Sequence, residues 1–168
     1  MTNAKDTFYL MLRDRLAALN PARTVVVRGV TRPAVLVQEN ELATDAVTPD
    51  AFLLHWTALK VDTQGPLPLA AMTCEIRYAT DGNAGNGGMD RGRLLSAMDA
   101  ELTAALRTWP HSVVKMNYAA SGIGVAPIAM ATNVFWSDAV FSPVTVTAER
   151  LERVATIEVF CYQEAGEL

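Results

Sequence analysis

Residues 71–108 constrain this chain more than any other stretch. Met72, Cys74, Ile76 and Tyr78 fall on one face and Thr73, Glu75 and Arg77 on the other, the period of two that marks a half-buried strand. Asp81-Gly82-Asn83-Ala84-Gly85-Asn86-Gly87-Gly88 then breaks the chain, and Asp90 opens a helix whose Leu94, Leu95, Met98, Leu102 and Leu106 make one stripe. The stretch predicts a helix lying on one face of a sheet, joined to it by a flexible loop over 81–89. It carries no catalytic residues.

With 168 residues the chain reads as a single domain, 1–168, and a domain of this size buries roughly 70% of its unfolded surface. An apolar fraction of 51% supplies a full core, which argues against disorder. The net charge of −4, with the basic residues scattered, gives neither the basic stripe of a nucleic-acid domain nor a polybasic membrane patch. Cys74 and Cys161 are the only cysteines. Both sit in apolar strand-like segments and read as reduced core thiols, although neighbouring strands would let them pair on oxidation. The charged, amphipathic N-terminal segment is no signal peptide, and no apolar run reaches the ~20 residues of a membrane span. The expected location is cytoplasmic.

Residues 4–19 read as a helix with Phe8, Met11, Leu12, Leu16 and Leu19 on one side, started by Asn3 as cap and stopped by Asn20-Pro21. Two short strands, Thr24–Arg28 and Ala34–Glu39, follow around a turn from Gly29 to Pro33. Asn40–Asp50 is a polar loop, Phe52–Val61 a strand and Asp62–Pro68 a turn. After the second helix, 111–133 is apolar, with Gly122, Gly124 and Pro127 inside it and no clear period. Either short strands are hidden there, or it is a long arm that finds its burial on another subunit. Phe141–Thr147 and Arg153–Gln163 close the chain as strands. Short links between consecutive strands favour antiparallel pairing, so the expected class is α+β: a mostly antiparallel sheet with two helices packed on one face.

Chemistry is harder to find. The glycine-rich loop lacks both the Walker A ending and the Gly-x-Gly-x-x-Gly spacing, and Asp90 would repel an anion there. His55 and His111 stand at no metal spacing, and Ala120-Ser121-Gly122 is no nucleophile elbow. Glu39, Glu41 and Asp45 read as a solvated acidic cluster. Asp99 and Glu101 diverge by about 200° on their helix and read as a solvated face, and Glu149–Arg153 as a solvated turn. Trp56, Trp109 and Trp136 read as core or interface anchors. Nothing asks for a catalytic residue, a cofactor or a metal.

The order of parts does carry a likeness. A helix of the Phe8-Tyr9-Leu10-Met11-Leu12-Arg13-Asp14-Arg15-Leu16 kind leads to Pro33-Ala34-Val35-Leu36-Val37-Gln38-Glu39. A strand ending near Tyr78 enters the helix Leu94–Leu106, and a last strand, Arg153–Tyr162, closes the chain. This resembles the tail-terminator and tail-completion (minor tail) proteins of long-tailed phages and related contractile tails. The 111–133 segment departs from the pattern. The resemblance implies a non-catalytic structural subunit that forms a ring, typically a hexamer, at the end of the tail tube. Its implied partners are itself, tail-tube proteins and head-connector proteins, with no nucleic acid and no membrane, and its location would be the virion if the gene is phage-encoded. On that reading Val113, Val114, Met116, Tyr118, Ile123, Val125, Ile128 and Met130 are the expected subunit interface. The alternatives are a small intracellular α+β ligand-binding or enzymatic domain, with His55, Trp56 and Tyr118 at its pocket, and a plain dimeric scaffold. A shared apolar patch would favour the ring, and one deep pocket with a perturbed titratable group the enzyme.

Overall fold

The computed structural model describes residues 1–41, 48–83, 89–107, 109–118 and 125–167. It opens with helix α1 (Thr2–Leu19), whose Ala4, Phe8, Leu12 and Leu16 recur every fourth residue and are all buried. Asn3 is not its cap. Met1 holds that position, and Asn3 sits in the first turn, where its amide donates to Glu167 Oε1 at 3.4 Å.

A hairpin follows, β1 (Thr24–Val27) against β2 (Val30–Pro33), forming a two-stranded sheet of its own. Its tip is Arg28-Gly29, with φ of +52° and +80°. Two consecutive left-handed residues make the type I′ turn that matches strand twist, and Gly29 adopts that φ at no steric cost. The expected turn over Gly29–Pro33 is therefore wrong: the turn is two residues long, and Thr31 and Arg32 belong to a strand.

The main sheet runs β3 (Val35–Val37), β4 (Phe52–Asp62), β5 (Leu69–Thr80), β10 (Arg150–Tyr162), β7 (Ile128–Trp136) and β6 (Ser112–Asn117). Short strands β8 (Val140–Phe141) and β9 (Thr145–Thr147) pair with the first half of β10. All pairings are antiparallel except β3 with β4, where Val35 faces Phe52 and Val37 faces Leu54 in parallel. The long polar connection before Phe52 is what a parallel pair requires. The fold is α+β, a mostly antiparallel sheet with α1 and α2 (Asp90–Leu106) packed on one face.

That face holds the core. Met72, Cys74, Ile76 and Tyr78 of β5 and Ala155, Ile157, Val159 and Cys161 of β10 are all fully buried, the expected alternation. Phe8 stands between Trp56 and Trp136, at 5.9 and 6.1 Å between ring centroids. The last turn of α2 is held by partners from two elements: Arg15 donates to the Ala105 carbonyl and Trp136 Nε1 to the Leu106 carbonyl, both at 3.0 Å. The opposite face, with Thr73, Glu75, Arg77, Glu158 and the cross-strand pair Phe135 and Phe160, carries no helix among the described residues.

The two cysteines do lie on adjacent strands. Cys74, however, faces Ile157, four residues from Cys161, a displacement of roughly 13 Å along the strand that a disulfide cannot span. Both remain free and buried. Among the described residues no helix is long and apolar enough to cross a membrane.

Candidate functional site

Of the two readings of 111–133, the structure places strands in the described part: β6 and the start of β7 lie inside the main sheet. The arm reading fails there because α1 covers β6. The Met116 N–H donates to Thr7 Oγ1 at 3.0 Å and the Tyr118 N–H to Asn3 Oδ1 at 3.4 Å, which occupies donors that an edge strand would otherwise present. Lys115 points inward and is fully buried, its Nζ 2.6 Å from both the Tyr162 carbonyl and Glu167 Oε2. Opposite it β7 is irregular, and Glu164 accepts from the Thr132 N–H at 2.9 Å and its hydroxyl at 2.7 Å.

The expected interface residues therefore divide. Val113 packs on the core, Met116, Tyr118 and Met130 are half-buried, and Val114, Val125 and Ile128 are exposed. Ile123 lies outside the described residues. Sequence reading missed four surface valines that are at least as exposed as any of these. Val26 and Val30 on the β1–β2 hairpin are 65% and 62% exposed, and Val140 and Val146 on β8 and β9 are 71% and 68% exposed. These two groups sit on different flanks: the hairpin leads directly into β3 at one edge of the sheet, whereas β8 and β9 flank β10 on the side of β7. Alternation cannot flag them, because β-branched residues look alike on buried and exposed strands.

The pocket expected of an enzyme is not assembled by His55, Trp56 and Tyr118. His55 and Trp56 are consecutive on β4 and point to opposite faces, Trp56 into the core with Lys5 over its ring at 5.3 Å, His55 onto the open face across from Glu75. Tyr118 stands beyond β6, beside α1. An open depression of about 850 Å³ does lie at the far end of β5, lined by Arg77, Asp81, Arg150, Glu152 and Arg153 among others. Its arginines are each matched: Arg77 with Glu75 at 2.9 Å, Arg150 with Asp81 at 2.7 Å and Arg153 with Asp99 at 2.5 Å. Paired in this way, they hold the fold and offer no converging positive charge to an anion. Among the described residues no group of three or more His, Cys, Asp and Glu side chains is placed to hold a metal ion.

The acidic clusters are structural where they are described. Glu39 pairs with Lys5 and Glu41 with Arg32, while Asp45 lies outside the described residues. Asp99 and Glu101 diverge as expected, but each is half-buried and engaged within the fold rather than on a solvated face. Asp99 accepts from Tyr78 and Arg153, and Glu101 takes the Arg23 fork at 2.8 and 2.9 Å and Asn20 at 2.8 Å. Glu149–Arg153 is a turn only at its start, since Arg150–Arg153 belong to β10. His111 lies between the rings of Trp109 and Trp136, and Trp109 itself is 84% exposed.

Burial pushes the Glu101 carboxyl up, and the hydrogen bonds from Arg23 and Asn20 outweigh it, leaving the pKa below the ordinary carboxylate value. At Glu167 burial is likewise outweighed, by the Glu164 N–H and by Lys115. A depressed folded-state pKa gives stability that is complete above the unfolded value, about 4.3, and is lost as pH falls through the folded one. The expected result is a melting temperature that declines as pH drops below about 4.3, with a shallower decline in Glu101→Gln. An equal decline in both proteins would remove Glu101 from the account.

Comparison with known proteins finds no family model that matches the chain and no curated protein similar to it.

Proposed function

We propose that this chain is a structural, non-catalytic subunit of the phage or prophage tail-terminator kind, which assembles into a ring at the end of a tail tube. The observation that carries the reading is the placement of its exposed apolar side chains. Val26 and Val30 lie on one flank, and Val140 and Val146 on another. Each pair straddles both faces of its strands, so what the two flanks offer is two dissimilar apolar edges. Such edges suit a heterologous contact, in which each copy gives one edge and receives on the other. Such a contact closes into a ring when its rotation closes. The order of helices and strands that resembles tail-terminator proteins supports the same reading, and with it the six-fold ring and the tail-tube and head-connector partners.

Negative-stain imaging of the concentrated protein tests it. Annular particles with a central opening are the expected result. Two-fold dimers or open filaments would overturn the ring.

A further inference from the structure

The hairpin that supplies one flank also carries a charge that no described residue of its own subunit pairs. Arg28, at the tip, has neither an ion-pair nor a hydrogen-bond partner among the described residues, and valines stand exposed on both faces of the ribbon behind it. A two-stranded ribbon on its own is marginal in water, and one with exposed apolar residues on both faces gains from being covered.

A complementary notch exists on the same molecule. It measures about 280 Å³ and lies between the C-terminal end of α2 (Thr103, Leu106 and the capping Arg107) and the β7–β8 link with the strand after it (Asp138, Ala139, and Phe141 of β8). It is too small for most ligands but wide enough for side chains of a hairpin tip. The Asp138 carboxylate has no partner among the described residues, while Leu106, Ala139 and Phe141 give the notch an apolar wall. Arg107 stands on its α2 side, so the attraction for a cation rests on Asp138.

A subunit's own hairpin cannot fill its own notch. Arg23, at the root of the hairpin, is fastened to Glu101, whereas the notch is built from Thr103, Leu106 and Arg107, which project from the other side of α2. The occupant must come from elsewhere, and a second copy brings the matching charge and apolar surface together. We propose that the Arg28-Gly29 tip of one copy seats in the notch of the next, with Arg28 on Asp138 and Val30 against Leu106 and Phe141. This rests on the ring reading and names its contact.

Cross-linking separates the two. In an Arg28→Cys, Asp138→Cys double variant, mild oxidation is expected to give a ladder of covalent species beyond the dimer on a denaturing gel, while each single variant stays monomeric. Cys74 and Cys161 are buried and do not compete. As a second measurement, Asp138→Lys is expected to weaken association at least about tenfold through like charge, and Arg28→Glu in the same chain to restore it. Absence of the ladder while the unmodified protein forms multi-subunit particles would overturn the docking and leave the ring. Dimers from Arg28→Cys alone would show tips meeting tips and would also overturn it. An unmodified protein that is monomeric at every concentration would overturn both.

Discussion

Replacing Lys115 by methionine is expected to lower the melting temperature by roughly 10 °C. The ammonium group is fully buried, and its acceptors are the Tyr162 carbonyl and Glu167 Oε2, each at 2.6 Å, with Glu164 at 3.6 Å. Glu167 is only 5% exposed, so the substitution strands a carboxylate in the protein. Removing one member of a buried pair costs about 3–5 kcal/mol, and each kcal/mol moves the midpoint by about 2–4 °C in a chain of this length. The double variant Lys115→Met, Glu167→Gln should recover much of the loss, because replacing both partners leaves no orphaned charge. Thermal unfolding checks both. An unchanged midpoint in the single variant would show that the pair does not hold the end of β6 to the segment after β10.

The second large effect belongs to Phe8. Its ring is fully buried and touches Trp56 of β4 and Trp136 of β7, so it joins α1 to two strands on either side of the sheet's central pair. Phe8→Ala leaves a cavity that the tryptophans cannot fill without leaving their places; Trp136 is held by its hydrogen bond to the Leu106 carbonyl. Truncations of this kind cost about 3–5 kcal/mol. Urea unfolding should show the midpoint fall with little change in slope. A loss under about 1 kcal/mol would mean that the aromatic cluster repacks freely.

Where burial follows a local period, the architecture was legible in the residues. The alternation from Met72 to Tyr78 and the leucine stripe of α2 are local patterns, and both lie where the pattern puts them. The parallel pairing of β3 with β4 was not legible, because it depends on how a long loop returns and not on any residue in either strand. Lys115 was missed for a related reason. A lysine in an apolar run reads as a surface residue, and the acceptors that make its burial tolerable are dozens of residues away along the chain. Asp99 and Glu101 repeat the lesson: the helix angle separated them correctly, but Arg153 arrives from β10 and Arg23 from the residue just before β1, both far away along the chain. The exposed valines follow the same rule. Val26, Val30, Val140 and Val146 have the chemistry of core residues, and only the sheet order reveals that they are left outside on two flanks.

The ring is the central claim, and solution mass tests it most directly. Light scattering on a sizing column, run at several loading concentrations, should return a single species several times the 18.2 kDa subunit, six times for the hexamer, and Val26→Asp with Val30→Asp should reduce it to the monomer. A mass of one subunit at every concentration, or an oligomer that survives those two substitutions, would contradict the account.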